Sequence, residues 1–252
     1  MPEIPPHDAL VAELAELIAI PSISADPEHH ADLVRASEWV VERIVAAGGT
    51  AEIQERNGRP LVIGEIEASA GAGAPTVLGY AHLDVQPDDP RELWHSDPWT
   101  LTETGGKLVA RGIADDKGHL FMLLKAIELL AAEGALPVTV RFLIDAEEEV
   151  GGSSVVEWVE EDERGADVAL ILDGGYATEE LPSFCTALRG LVYFHLTVRT
   201  GERDLHSGMF GGAALNAVHA LVRIAEDVRG FLHTAERIRR LPWYMRPGAW
   251  LF

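Results

Sequence analysis

Imidazole and carboxylate side chains gather at a few points of this sequence where polar residues follow apolar runs. The clearest is the segment 80–87, in which His82 and Asp84 come directly after the apolar residues 75–79. A buried strand that ends in a polar loop has this pattern. Because alternate side chains of a strand point to the same side, His82 and Asp84 are expected to share one face. Such a pair suits either a metal ligand with its orienting partner or a pair that caps a loop.

Further carboxylates lie at or just past the ends of predicted strands: Asp115 and Asp116, the run 147–149, and Asp173. Adjacent carboxylates repel each other, so a site that brings them together favours a bound cation. Two alternatives stay open from the residues alone. Asp115 and Asp116 suit the cap of a following helix, and the run 147–149 suits an acidic first turn, where the helix dipole favours negative charge.

The chemistry of these donors points to a divalent cation. Carboxylate oxygens and one imidazole suit zinc, with cobalt or manganese as substitutes. A catalytic zinc keeps one position open for water and lowers the pKa of that water to about 7. Two ions roughly 3.5–4 Å apart need a bridging carboxylate, for which the acidic clusters supply candidates. These residues are therefore candidates for a metal site, and their capping roles remain the alternative at this point.

The elements that must position these groups alternate between strands and helices. Helices are predicted at residues 7–20, 27–47, 117–132, 153–163 and 213–227, and strands at 50–55, 61–66, 75–79, 138–144, 168–172 and 191–199. The turn Asn57-Gly58 is expected to join the first two strands as a hairpin. This order predicts an α/β fold whose sheet carries helices on both faces, with ligands beyond the carboxyl ends of the strands.

Composition excludes several classes of function. The chain has 252 residues, of which 47% are hydrophobic and 24% charged, as in globular proteins. The formal net charge of −21 argues against nucleic acid and anionic membranes as partners. No apolar run of about 18 residues and no secretory signal are recognisable. The single Cys185 excludes an internal disulfide, so a cytoplasmic location is expected.

The motifs together resemble the dinuclear-zinc aminoacylase/carboxypeptidase-type metallopeptidases, in particular the cytosolic nonspecific dipeptidase and carnosinase branch. The resemblance runs from about residue 18 to about residue 220, with the motifs in the family's order. It is carried by Ala81-His82-Leu83-Asp84-Val85-Gln86-Pro87, residues 94–99, Arg111-Gly112 with Asp115-Asp116-Lys117-Gly118, Glu148-Glu149-Val150-Gly151, Asp173, and Asp204-Leu205-His206-Ser207-Gly208.

The resemblance implies a set of metal ligands. His82 and Asp173 would hold one zinc ion, Glu149 would hold a second, and Asp115 would bridge both. It also implies a cis peptide bond after the bridging residue, between Asp115 and Asp116. Two ions are therefore expected in the complete site of the family.

The resemblance also implies catalytic roles. Glu148 would be the general base that takes a proton from the bridging water and returns it to the leaving amine, and Asp84 would orient His82. Glu147 is left outside the site, because the family pattern places base and ligand directly before x-Gly. His206 would reach the active site of a partner subunit and stabilise the oxyanion. Without the resemblance, His206 is a histidine on a polar loop.

The fold and function follow as expectations. The resemblance implies a phosphorylase/hydrolase-like mixed sheet in a catalytic domain at residues 1–187, lacking its C-terminal part, and part of an α+β lid or dimerisation domain at residues 188–252. The expected reaction is hydrolysis of dipeptides or short peptides, with homodimerisation through the lid when the chain is complete. This chain is expected to be an N-terminal part with little or no activity. An N-acyl-amino-acid amidohydrolase and a non-catalytic metal-binding remnant are the alternatives.

Overall fold

The computed structural model describes residues 2–71, 73–174, 183, 185 and 195–240, and for residues 231–240 the helical backbone alone. The chain divides into two compact units, Met1–Ser183 and Phe184–Phe252. Unit 1 contains α1 (His7–Ile18), α2 (His30–Ala46), β1 (Thr50–Arg56), β2 (Arg59–Ile66), β3 (Thr76–His82), β4 (Thr102–Thr104), β5 (Lys107–Val109), α3 (Lys117–Ala132), β6 (Thr139–Asp145), α4 (Ser154–Glu161) and β7 (Val168–Ile171). The catalytic and lid labels given to the two parts of the sequence stay predictions.

The central sheet is mixed, in the order β1-β2-β6-β3-β7. β1 and β2 form an antiparallel hairpin, whose turn residues Asn57 and Gly58 have φ of 52° and 73°. Positive φ at both positions is the turn that matches the twist of hairpin strands, as the Asn-Gly pair predicts. β6 pairs antiparallel with β2 and parallel with β3, which in turn pairs parallel with β7. The parallel strands β6, β3 and β7 therefore end at one edge of the sheet.

Helices cover both faces of this sheet, which confirms the predicted α/β architecture. Alternate residues of β6 separate the two faces: Phe142 packs in the larger core with α1, α2 and α3, whereas Leu143 packs in a smaller core with Trp158 of α4. This alternation is the two-residue period of a strand. The near-continuous apolar burial of β6 is what a central strand covered on both sides requires.

A buried lysine fixes the start of α3. Lys117 is fully buried, and its Nζ donates hydrogen bonds to the carbonyl oxygens of Leu17, at 3.1 Å, and Ile20, at 2.5 Å. These carbonyls lie at and just past the end of α1, and each also accepts one backbone N–H, that of Ile20 and that of Ser22 respectively. Burial lowers the pKa of Lys117 to about 7. The contact ties the two residues before α3, Asp115 and Asp116, to the body of unit 1.

Unit 2 differs from its prediction. Its described residues form α5 (Ser207–Phe210) and α6 (Ala217–Arg240) and contain no strand. The strand predicted at residues 191–199 is wrong for 195–199, because no neighbouring strand is present among the described residues to hydrogen-bond with it; residues 191–194 lie outside the description. Helix α6 begins later than predicted because Asn216 Oδ1 accepts the N–H groups of Val218 and His219. No helix in the described part of the chain combines the length and apolar character that a bilayer crossing requires.

A buried carboxyl group at the end of β6 makes the stability of unit 1 depend on pH. Asp145 is 6% exposed, and Tyr80 donates its hydroxyl to Asp145 Oδ2 at 3.4 Å. Burial first, and then the charges of Asp84 and Glu147, raise the pKa of Asp145 from 3.8 to about 6. The folded chain therefore keeps a proton up to about pH 6 that the unfolded chain releases two units lower.

We expect Asp145→Asn to stabilise the metal-free protein by roughly 1–3 kcal/mol at pH 7.5 and by progressively less towards pH 4. A raised carboxyl pKa contributes stability at low pH that is lost as the pH rises through 4 to 6, and the amide removes that loss. Urea unfolding in EDTA at pH 7.5 and at pH 4 measures the difference in the free energy of unfolding. Asp162→Asn is the matched control. Because the hydrogen bond from Arg141 lowers the pKa of Asp162, this substitution should destabilise the protein at pH 7.5. Equal effects of the Asp145 substitution at both pH values would contradict the expectation.

Candidate metal centre

The carboxyl ends of the three parallel strands carry the candidate site. His82 is the last residue of β3 and lies opposite Asp145, the last residue of β6, in the ladder. The run 147–149 begins two residues after β6, and Asp173 follows β7 by two residues. The loop before α3 brings Asp115 to the same edge. Parallel pairing is the reason why segments distant in sequence meet here.

Three of the predicted ligands form one group. The candidate ligand atoms of His82, Asp115 and Asp173 all lie within 4.8 Å of one another. His82 Nε2 is 3.0 Å from Asp115 Oδ1 and 3.9 Å from Asp173 Oδ2. His82 is fully buried, whereas the two aspartates are exposed. One imidazole nitrogen and two carboxylates are a donor set that fits a divalent cation such as zinc.

The charges around His82 favour a cation at this point. Burial lowers the pKa of His82, but the hydrogen bond and charge of Asp84 and the charge of Asp116 outweigh it and raise the pKa to about 10. The carboxylates thus stabilise a positive charge at His82. A divalent cation supplies that charge while the imidazole gives up its proton, so cation and proton compete for His82.

Asp84 links the two halves of the candidate site. Its carboxylate is fully buried and accepts the backbone N–H groups of Glu148, at 3.3 Å, and Glu149, at 3.1 Å. The same side chain lies 3.4 Å from His82 Nδ1, and the Asp84 backbone oxygen lies 3.0 Å from that nitrogen. Because Nδ1 faces these oxygens, Nε2 is the nitrogen left to face Asp115 and Asp173.

The acidic run forms a turn of its own. Glu148–Val150 is a short 3-10 turn that ends at Gly151 with φ of 69°, and α4 begins only at Ser154. The alternative that the run is the first turn of the following helix is therefore wrong. Glu147 is 5% exposed and accepts the N–H of Ser154 at 2.7 Å, so its carboxylate faces the start of α4. A Cβ at Gly152 would lie 1.9 Å from Glu147 Cδ, so any larger residue there would displace the carboxylate of Glu147.

Glu148 and Glu149 have different surroundings. Glu148 is exposed, but partial burial and then the charges of Asp173 and Glu149 raise the pKa of its carboxyl group, against the lowering effect of His82. Glu149 is half-buried, and its carboxylate accepts a hydrogen bond from Gln86. Neither glutamate belongs to the group of three ligand atoms around His82. Their assigned roles as base and ligand stay predictions.

His119 is a functional candidate that sequence reasoning did not identify, and its partner Asp116 makes contacts that the sequence did not predict. The bond between Asp115 and Asp116 is cis, as the resemblance implies. Asp116 occupies the N-cap position of α3, yet its side chain does not cap the helix. Its carboxylate accepts the backbone N–H of His82 at 3.1 Å and lies 2.7 Å from the ring nitrogen Nδ1 of His119. The spacing of Asp116 and His119, three residues apart at a helix start, was the available signal.

His206 lies in unit 2, whose position relative to unit 1 is not described. It precedes α5, is exposed, and its Nδ1 accepts the N–H of Gly208 at 3.0 Å. Its predicted role in a partner's active site stays a prediction.

We expect Asp84→Asn to weaken zinc binding by about 10- to 100-fold, because the amide nitrogen would face an N–H donor of the glutamate turn. A competition titration with a chromophoric chelator measures the dissociation constant. Asp88→Asn is the matched control, since Asp88 pairs with Arg91 in the loop beyond the site. Zinc affinity equal to that of the wild type in Asp84→Asn would show that Asp84 does not support the ligands.

Comparison with known proteins agrees with these features. The model of peptidase family M20/M25/M40 matches residues 78–234. A cysteinylglycine-S-conjugate dipeptidase of Corynebacterium striatum is 33% identical over 227 residues, which cover 88% of this chain and 50% of that protein. The Beta-Ala-His dipeptidase of Homo sapiens is 32% identical over 224 residues, which cover 82% of this chain and 44% of that protein.

A solved structure supports the same conclusion. The structure of human carnosine dipeptidase 1 aligns with a TM-score of 0.63 and 28% identity, over 85% of this chain and 48% of that one. The chain therefore spans about half the length of the relatives it matches. The family match includes the ends of β3, β6 and β7, with every candidate residue of the metal centre. This chain belongs to peptidase family M20/M25/M40.

Proposed function

We propose that this chain contributes to metal-dependent hydrolysis of the amide bond of dipeptides or short peptides, at a site for two zinc ions. The observation that carries the proposal is the approach of His82, Asp115 and Asp173 to within 4.8 Å at the carboxyl edge of the sheet. The two curated relatives described above are named dipeptidases, which supports the substrate class.

The proposed ligand set assigns His82 and Asp173 to one ion, Glu149 to the other and Asp115 to both. Zinc is the first choice, with cobalt or manganese able to replace it. When bound, the ions would supply a Lewis acid that polarises the amide carbonyl and acidifies a water molecule. Asp84 orients His82 and holds the N–H groups of the glutamate turn.

Glu148 is the proposed general base. A base works best when its pKa lies near the working pH, and the surroundings of Glu148 raise its carboxyl pKa in that direction. Its carboxylate takes the proton of the attacking water and then delivers it to the nitrogen of the leaving amine. The raised pKa also keeps the protonated form accessible for that second transfer.

We further propose that two copies of the complete chain associate through unit 2 and that His206 then stabilises the oxyanion of the partner's substrate. Exposed apolar side chains on one side of α6, at Val218, Leu221 and Val222, support an interface there. Sedimentation equilibrium of the complete chain at micromolar concentration is expected to give twice the monomer mass, and a monomer at every concentration would contradict the dimer. A cytoplasmic location belongs to the same proposal and rests on the single Cys185.

Glu148→Gln is expected to lower the rate of dipeptide hydrolysis by at least about 100-fold, while zinc uptake stays unchanged, because the amide cannot accept the water proton. Amine release from Ala-Ala, carnosine and N-acetyl-alanine with added zinc measures the rates. We expect the 252-residue chain to turn over less than about once per second, below typical enzymes. Glu133→Gln is the matched control, at the exposed far end of α3.

Each alternative has its own outcome. Hydrolysis of N-acetyl-alanine without hydrolysis of either dipeptide would favour the N-acyl-amino-acid amidohydrolase. Uptake of a single zinc ion with no turnover of any substrate would favour the metal-binding remnant, whereas the proposed site takes up two. Full dipeptidase activity in Glu148→Gln would remove Glu148 from the mechanism, and turnover at ordinary enzyme rates would contradict the reduced activity expected for this chain.

A further inference from the structure

The segment after β3 stays extended and places alternate side chains in a row. The N–H of Leu83 donates to the carbonyl of Asp145 at 2.8 Å, and the N–H of Val85 donates to the carbonyl of Ser22 at 3.0 Å. Leu83 and Val85 are both fully buried. In an extended segment, the residues between them point to the other side, which is the side of the glutamate turn.

Gln86 continues the row that His82 and Asp84 begin. Its Nε2 donates to Glu149 Oε2 at 2.7 Å and to the backbone oxygen of Glu149 at 3.2 Å. Both acceptors are oxygens, so the NH₂ group of the amide is the end that must face them. The carboxylate of Asp84 accepts the backbone N–H of Glu149. Glu149 is thus held through its N–H, its C=O and its carboxylate.

We propose that Gln86 is a positioning residue, which fixes the carboxylate of Glu149 for the second metal ion. The inference rests on the dinuclear site of the proposed function. A carboxylate has two oxygens, so Glu149 can accept from Gln86 through Oε2 and coordinate a cation through Oε1. The ion held by His82 and Asp173 does not depend on this contact.

The residue type fits the task. A lysine or arginine at position 86 would pair with Glu149 and compete with the cation for its negative charge. A glutamine amide donates hydrogen bonds without cancelling that charge, so Glu149 stays fully negative towards the ion. Partners that orient metal ligands in this way typically change metal affinity by 10- to 100-fold. One extended segment then provides a ligand for one ion and orients the ligand of the other.

Gln86→Met tests this role, because methionine has a similar length but no donor. We expect the second zinc ion to bind about 10-fold more weakly, with the affinity of the first ion unchanged. Isothermal titration of the metal-free 252-residue chain with zinc gives both dissociation constants and the stoichiometry. Gln54→Met is the matched control: Gln54 also donates to a glutamate, Glu52 Oε1 at 2.6 Å, but on the edge strand β1.

The outcomes separate this inference from the proposed function. The inference is supported if the wild-type chain binds two zinc ions, Gln86→Met lowers the affinity for the second ion alone, and Gln54→Met changes neither affinity. Unchanged affinity for both ions in Gln86→Met overturns it while the dinuclear site stands. An equal loss of affinity for both ions, with a lower melting temperature of the metal-free variant, also overturns it, because Gln86 is then a general structural contact. Fewer than two wild-type ions would contradict the dinuclear proposal itself, and this inference with it.

Discussion

The buried carboxylate of Asp84 is the contact on which the arrangement of the metal centre depends. A charge removed from water is costly unless it is hydrogen-bonded or paired, and Asp84 meets this demand with two backbone N–H groups and with His82. These partners come from the end of β3 and from the turn after β6, which are about 65 residues apart in sequence. Satisfying one buried charge therefore fixes the imidazole and the glutamate turn relative to each other.

The same edge concentrates negative charge beyond what folding alone would favour. Asp145 and Glu147 lie buried behind the site, and Asp115 and Asp173 lie at its surface. Their mutual repulsion and their burial appear in the raised pKa of Asp145 and of Glu148. A protein that keeps such a cluster loses stability unless positive charge is added, and a divalent cation adds it at the point where the carboxylates converge.

Sheet topology explains why the carboxylates converge at this edge. β6, β3 and β7 run parallel, so their carboxyl ends coincide, whereas the hairpin of β1 and β2 widens the sheet without adding a site residue. The loop before α3 reaches the same edge because Lys117 anchors the helix start to the end of α1. Because Gly118 has no side chain, the start of α3 can pack closely against the backbone of Ile113. A Cβ at position 118 would lie 2.0 Å from the carbonyl oxygen of Ile113.

The sequence by itself determined the helices and the five sheet strands of unit 1, the family, and the residues of the metal centre as candidates, because hydrophobic period, turn residues and motif spacing are local properties. It missed the short strands β4 and β5. Without the resemblance, the residues alone did not separate the roles of neighbouring acids. Only the tertiary structure decided that Glu147 faces the start of α4, that Asp116 supports His82 without capping α3, and that Gln86 holds Glu149. The prediction of a strand at 191–199 is wrong for residues 195–199 for the same physical reason, because a strand, like a ligand set, is defined by partners that are distant in sequence.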